Sequence, residues 1–93
     1  MIEYPLTDET RLMLRYTIDG EPHWLRNFTS FDACQRIYAS LRDESGLGAS
    51  RFGEGEIFDQ FGQYVARISY NARLWSPLPW TPGVEPWAEA PRA

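Results

Sequence analysis

The sequence offers few side chains that could perform catalysis. His23 is the only histidine and Cys34 the only cysteine. Nucleophilic catalysis by serine or cysteine needs a neighbouring base, and His23 alone would have to supply it. The predicted strand pairing places His23 opposite Tyr16 at the edge of the core. Cys34 falls in the apolar stripe of a predicted helix, where a thiol is buried and inert, so we predict no catalytic residues.

Carboxylates are the remaining groups with chemical potential, because paired carboxylates can bind a divalent metal or hydrolyse a glycoside. The candidates are Asp43, Glu44, Glu54, Glu56 and Asp59. Their spacing matches no metal-binding loop. A solvated acidic rim that attracts a basic partner is the simpler interpretation, and a metal-dependent enzyme is the weakest alternative. We expect neither a metal nor a cofactor.

The composition narrows the class of protein. Ninety-three residues, 43% hydrophobic and 24% charged, suffice for one globular core. All nine cationic side chains are arginine, and the net charge of −4 disfavours a broad nucleic-acid surface. There is no basic-then-apolar leader, no apolar run of about 18 residues and no second cysteine for an internal disulfide. These features favour the cytoplasm and argue against a membrane partner.

Hydrophobic periodicity predicts the elements that position these residues. Residues 11–18 and 22–28 read as two strands, and shorter strands follow residue 55. The predicted turns are Asp19-Gly20, Phe61-Gly62 and Asn71-Ala72. Between the second and third strands, an apolar stripe at helical spacing begins after Thr29 or Ser30 and ends before Gly46 or Gly48. The residues of that stripe are Phe31, Cys34, Ile37, Tyr38 and Leu41.

The resulting fold class is α+β, with element order β-β-α-β-β-β. A small antiparallel sheet carries one helix packed on one face. This domain spans residues 1–75. Residues 76–93 form an irregular Pro/Trp-rich C-terminal tail with five of the seven prolines. The glycine-rich segment after the helix follows a helix rather than a strand and lacks a lysine, so it predicts a mobile loop and no phosphate cradle.

Tight turns fix which residues of two strands oppose each other, and opposed residues share a face of the sheet. The predicted pairs are Leu14 with Leu25, Tyr16 with His23, Arg15 with Trp24, Met13 with Arg26, Arg11 with Phe28, Ile57 with Ala66, Phe58 with Val65, Glu56 with Arg67, Ile68 with Trp75 and Ser69 with Leu74. The face toward the helix would carry Leu12, Leu14, Tyr16, Ile18, Leu25, Ile57, Ala66, Ile68, Tyr70 and Trp75. The opposite face would carry Met13, Arg15, Thr17, Trp24, Arg26, Phe28, Glu56, Phe58, Val65, Arg67, Ser69 and Leu74.

Half of the opposite face is apolar, which is unusual for a sheet surface left to water and predicts a cover. The tail could fold back and place Trp80 or Trp87 over it. A second copy of the chain could pack sheet to sheet, giving a homodimer. A different macromolecule could also dock there. We further expect Arg15 to stack on Trp24 and Arg67 to pair with Glu56.

These features together predict a non-enzymatic protein-interaction module that occupies a partner's surface. The predicted partner-binding residues are Arg15, Trp24, Arg26, Phe28, Phe58, Arg67, Trp80 and Trp87. One version is a small inhibitor or adaptor of a phage or other mobile element, of the anti-CRISPR type, because small acidic domains without catalytic groups suit steric blocking or nucleic-acid mimicry. The alternative is a single-stranded nucleic-acid binder that stacks bases on the arginine and aromatic side chains.

Overall fold

A computed structural model describes residues 2–92 and shows one helix and a five-stranded antiparallel sheet. The elements are β1 (Leu12–Ile18), β2 (Glu21–Phe28), α1 (Phe31–Ser45), β3 (Gly55–Asp59), β4 (Tyr64–Ile68) and β5 (Leu74–Trp75). The strand order across the sheet is β2-β1-β3-β4-β5. The predicted α+β class and element order are confirmed. Met1 and Ala93, which belong to the predicted domain and tail ranges, lie outside the described residues.

The helix begins and ends at the signals that the sequence carries. Ser30 is the N-cap, and its hydroxyl accepts a hydrogen bond from the Ala33 N–H at 3.1 Å. Gly46 ends the helix in the left-handed conformation, with φ of 67°. The predicted apolar stripe faces the sheet. Gln35 is buried there as well, because its amide donates to the carbonyls of Ala72 and Glu89.

The core lies between α1 and one face of the sheet. Its buried members include Leu12, Leu14, Tyr16, Phe31, Cys34, Tyr38, Phe52, Ile57, Val65, Ala66, Ile68 and Leu74. Alternate residues of β1 and β3 point to the other side of the sheet. We call that side the open face; its residues are Met13, Arg15, Thr17, Trp24, Arg26, Glu56, Phe58, Tyr64, Arg67 and Trp75.

The first hairpin has the predicted register near its turn and departs from it at the far end. Asp19 and Gly20 both have positive φ, as a two-residue hairpin turn requires. The pairs Leu14–Leu25, Arg15–Trp24 and Tyr16–His23 are confirmed. A bulge at Asn27, which has φ of 69°, then inserts one extra residue into β2. The prediction that Phe28 faces Arg11 on the opposite face is therefore wrong, because Phe28 pairs with Leu12 and packs against the core.

The second hairpin contains two departures that compensate. The turn has three residues between Asp59 and Gln63, because the Asp59 N–H donates to the Gln63 carbonyl at 3.0 Å. A register shift beside Val65 then restores the predicted pairs Ile57–Ala66 and Glu56–Arg67. Within the shift Phe58 pairs with Tyr64, so the predicted Phe58–Val65 pair is wrong. Val65 is buried in the core and Tyr64 takes its place on the open face.

The third hairpin is shifted by one residue throughout. Its turn also has three residues, because the Ser69 N–H donates to the Arg73 carbonyl. The last residue of this turn, Ala72, adopts φ of 68°. The observed pairs are Arg67–Trp75 and Ile68–Leu74. The predicted pairs were wrong, and since a one-residue slip exchanges the faces, Trp75 lies on the open face and Leu74 in the core.

The segment between α1 and β3 is tied to β1, which contradicts the expectation of a mobile loop. Phe52 is completely buried and stacks on Tyr16, with ring centroids 5.8 Å apart. Gly53 donates to the Thr17 carbonyl at 2.9 Å. A Cβ at Gly53 would lie 2.0 Å from the Thr17 hydroxyl oxygen, so this close approach requires glycine.

The tail returns to the domain on the helix side of the sheet. The Trp87 N–H donates to the Leu74 carbonyl at 2.7 Å, and the Trp87 ring lies against Phe31 of α1. Glu89 pairs with Arg73 at 3.0 Å. Within residues 2–92, the hydrogen bonds and ring contacts joining residues 84–92 to the domain end on β5, on the turn before it or on α1. Also within this range, no helix is both long and apolar enough to cross a bilayer.

Candidate interaction surface

One row of paired residues crosses all five strands of the open face. In the order of the strands, it reads Trp24, Arg15, Glu56, Arg67 and Trp75. The row therefore has a tryptophan at each edge of the sheet and alternating charges between them. Arg15 and Glu56 form an ion pair at 2.5 Å. The row is held together by cross-strand contacts without any help from the tail.

A second, mainly apolar row lies beside the first. The Phe58 ring touches Trp24 on one side and Tyr64 on the other, each with ring centroids 5.4 Å apart. Met13 pairs with Phe58 from β1. Such tilted ring pairs are favourable beyond the area they bury. Three strands thus supply one continuous aromatic strip.

The arginines of the open face have different partners from those predicted. Arg67 pairs with Glu54 at 3.2 Å, and its guanidinium lies 5.4 Å from the centre of the Trp75 ring. Glu56 pairs with Arg15 instead. The ring of Trp24 has the guanidinium of Arg26 over it, at 6.0 Å from the centroid. Arg67 and Glu56 are opposite each other in the sheet, as are Arg15 and Trp24. The predicted ion pair and the predicted stacking contact are nevertheless wrong, because Glu56 pairs with Arg15 and Trp24 stacks with Arg26.

Arg26 differs from the other two arginines of the open face. Its side chain is exposed and contacts the Met13 sulfur and the Trp24 ring. Among residues 2–92, it forms no ion pair with a carboxylate. An arginine whose charge has no partner and whose stem lies on apolar groups can bind an incoming carboxylate or phosphate in a bidentate manner.

Exposure is concentrated at the β2 edge of the open face. Trp24 is 44% exposed, whereas Phe58, Tyr64 and Trp75 are half-buried. Burial raises the pKa of Tyr64, and the nearby Glu56 carboxylate raises it further. The phenol therefore stays protonated near neutral pH and can donate a hydrogen bond.

Three of the predicted partner-binding residues are not on this surface. Phe28 packs on the core side because of the bulge at Asn27. Trp87 is packed against α1, so the expectation that it covers the opposite face of the sheet is wrong. Trp80 is 59% exposed, which shows that it is not buried on the sheet. The structure brings together Arg15, Trp24, Arg26, Phe58 and Arg67 of the predicted set.

Sequence reasoning missed two members of the surface, Tyr64 and Trp75. Trp75 was assigned to the face toward the helix because the third turn was taken as two residues, and Tyr64 was assigned to neither face. Glycine at position 62, with φ of 83°, fits the left-handed end of a three-residue loop as well as a two-residue turn. The sequence therefore did not distinguish between the two turn lengths, and the faces of Tyr64 and Trp75 depended on that length.

The groups considered for catalysis are separated in the structure. His23 pairs with Tyr16 as predicted; the two rings also stack, with centroids 5.2 Å apart, and His23 is exposed at the sheet edge. Cys34 is fully buried, and burial raises the pKa of its thiol to about 12. Such a thiol stays protonated and cannot act as a nucleophile at neutral pH.

The acidic residues do not form a cluster. Glu54, Glu56 and Asp43 each pair with a different arginine. Asp59 is buried, and its carboxylate accepts hydrogen bonds from the Tyr4 hydroxyl and from the backbone N–H groups of the β3–β4 turn. Within residues 2–92, no three histidine, cysteine or carboxylate side chains are arranged to hold a metal ion.

The comparisons with known proteins supply no further assignment. No protein-family model matches the chain, and neither a curated protein nor a solved structure shows significant similarity to it. Functional interpretation therefore depends on the geometry of the open face and of the surfaces around it.

Proposed function

We propose that this chain is a non-enzymatic protein-interaction module that binds a partner protein through the open face. The observation that carries the proposal is the pairing of Trp24, a half-exposed tryptophan, with Arg26, an arginine that has no carboxylate partner in the described chain. Tryptophan and arginine are the residue types most enriched among those that dominate binding energy. They lie side by side at an edge of the sheet, where a partner can approach without displacing the core.

The remaining residues of the open face suit a supporting role. Phe58 and Tyr64 continue the apolar strip away from Trp24. The two internal ion pairs, Arg15–Glu56 and Arg67–Glu54, keep the neighbouring surface polar and nearly neutral. Central aromatic groups surrounded by polar residues are the usual anatomy of a protein-binding patch. A chain of this kind would act as an adaptor, or as an inhibitor that blocks a partner's own binding site.

The same arrangement argues against single-stranded nucleic acid as the main ligand. Two of the three arginines on the open face are already neutralised by glutamates. Affinity for the nucleic-acid backbone depends on uncompensated cations, and the whole chain has a net charge of −4. Stacking of bases on Trp24 and Phe58 remains the competing function. Nucleic-acid binding would weaken steeply with added salt, and this dependence distinguishes it from protein binding.

The proposal is tested by photo-crosslinking from the open face. The full chain carrying benzoylphenylalanine at position 24 is expressed in its native cells and irradiated. A matched chain carries the same group at Glu44, which is exposed on α1. We expect a discrete protein adduct from position 24 only. In competition with the unlabelled chain, Arg26→Ala should weaken capture of that partner at least tenfold, because loss of an arginine that anchors a partner costs about 1.4 kcal/mol or more.

Three outcomes would overturn the proposal. The first is equal crosslinking from positions 24 and 44. The second is capture that Arg26→Ala and Trp24→Ala leave unchanged while circular dichroism shows the fold intact. The third is retardation of a labelled oligonucleotide that fades steeply with added salt and is lost in Trp24→Ala. That result would assign the open face to nucleic acid.

A further inference from the structure

A groove is lined by Glu3 of the N-terminal segment and by residues of the tail, none of which belongs to the open face. Its volume is about 580 Å³, and its lining includes Glu3, Leu78, Val84, Glu85, Pro86 and Trp87. A smaller groove of about 210 Å³ shares Glu3, Leu78 and Trp87 and extends to Gln63 and to Tyr64, which also belongs to the open face. The two grooves are neighbours with these three residues in common, and we call them together the acidic groove.

The floor of the acidic groove is apolar and unusually exposed. Leu78 is 70% exposed, and Val84 is also exposed. Large aliphatic side chains that point to water contribute nothing to folding, whereas their burial under a ligand removes apolar area from water. Pro86 and the Trp87 ring continue the same floor.

The walls of the groove are fixed by contacts with the domain. Trp87 is held by its backbone hydrogen bond to Leu74 and by its packing on Phe31. On the other wall, the Tyr4 hydroxyl donates to the buried Asp59 carboxylate at 2.9 Å. Trp87 and Tyr4 are therefore held in place before a ligand arrives, which lowers the entropic cost of binding at this part of the groove.

The rim of the groove carries negative charge that the protein itself does not neutralise. Glu3 and Glu85 both line the groove and are exposed, and Asp8 and Glu9 are exposed farther along the N-terminal segment, outside the lining. Within residues 2–92, none of these four forms an ion pair, whereas six ion pairs join other residues. A cationic ligand would gain attraction at this rim without breaking an existing pair.

We infer that the acidic groove binds a basic amphipathic helix of a partner protein. The apolar stripe of such a helix would lie on Leu78, Val84 and Trp87, and its flanking lysine or arginine side chains would reach Glu3 and Glu85. An amphipathic helix in a hydrophobic groove is a common mode of peptide recognition. The alternating apolar and basic faces of such a helix match the floor and the rim, respectively.

The inference is tested with a defined probe. The probe is a synthetic peptide of about 14 residues, roughly 21 Å long as a helix, with leucines on one face and lysines on the other. A second peptide has glutamate in place of every lysine. Calorimetry with the full chain should show binding of the lysine peptide that weakens with added salt, and little binding of the glutamate peptide. Amide NMR shifts should map to residues 76–87 and to the N-terminal segment.

Variants locate the binding energy. Leu78→Ser should weaken binding of the lysine peptide at least tenfold without unfolding the chain, because this side chain is mostly exposed. The double variant Glu3→Gln with Glu85→Gln should weaken it and flatten its dependence on salt. The matched control is Glu44→Gln, an exposed carboxylate on α1 that should leave the affinity unchanged.

The inference is overturned if Leu78→Ser binds the lysine peptide as tightly as the unchanged chain, or if both peptides bind equally. It is also overturned if the amide shifts centre on Trp24 and Arg26. It stands apart from the proposed function, because Trp24→Ala should leave the affinity of the groove for the lysine peptide unchanged. Tyr64 borders both surfaces and is changed in neither test, so failure of one surface does not affect the test of the other.

Discussion

The two faces of the sheet use aromatic side chains in opposite ways. On the helix side, Tyr38 and Phe52 are completely buried, and the Tyr38 hydroxyl donates to the Gly53 carbonyl at 2.8 Å. On the open face, Trp24 and Phe58 contact each other but remain partly exposed. The first arrangement excludes water and holds the fold together. The second leaves apolar area available, so a partner that covers it adds stability that the isolated chain lacks.

Replacing one aromatic residue on each face of the sheet with alanine should give the largest difference in stability between the two faces. Phe52→Ala should lower the free energy of unfolding by about 3–5 kcal/mol, because it leaves a cavity between Tyr16 and Tyr38. Trp24→Ala should lower it by about 1 kcal/mol or less, because that side chain is only half covered. Urea denaturation followed by circular dichroism measures both values. Equal losses would show that the open face belongs to the folding core.

The stability of the chain at alkaline pH tests whether water is excluded from the core on the helix side of the sheet. Burial raises the pKa of Cys34 from 9.0 to about 12, so the folded state holds the neutral thiol while the unfolded state releases its proton. The stability contributed by the neutral thiol is complete below pH 9. It is then lost as the pH rises toward 12, by about 1.4 kcal/mol per pH unit.

A variant isolates the contribution of the thiol from that of buried tyrosines. Burial also raises the pKa of Tyr38 above its ordinary value of 10.0, which adds a loss of stability that begins near pH 10 and overlaps that of the thiol. In Cys34→Ala the free energy of unfolding should fall less steeply with pH above pH 9. The difference in slope should be about 1.4 kcal/mol per pH unit, which corresponds to one proton. An identical slope in both chains would mean that the thiol reaches solvent in the folded state.

The comparison also explains which parts of the fold the sequence could predict. The turn at Asp19-Gly20 was predictable, because both residues must adopt positive φ and the sequence supplies residues that do so. The capped helix was predictable for a similar reason, since Ser30 and Gly46 each satisfy a local requirement. These features depend on neighbouring residues alone.

The errors arose where tertiary contacts override local signals. Nothing adjacent to Asn27 or Val65 marks a bulge, yet each bulge moves a side chain to the other face. Ala72 adopts positive φ although alanine disfavours it, and the buried Gln35 amide accounts for part of this because it donates to the Ala72 carbonyl. The candidate surface was therefore predicted at Trp24 and Arg15, near the reliable turn, and missed at Tyr64 and Trp75, near the shifted ones.

The smallest expected effect concerns the ion pair at the centre of the open face. The side chains of Arg15 and Glu56 are 32% and 34% exposed, so solvent screens their attraction. Glu56→Gln should lower the free energy of unfolding by about 0.5–1 kcal/mol, and 1 M salt should remove most of the difference. A double-mutant cycle with Arg15→Gln measures the coupling between the two side chains. A coupling above about 3 kcal/mol that salt does not change would mean that this pair is enclosed, and the open face would then be a second core rather than a surface for a partner.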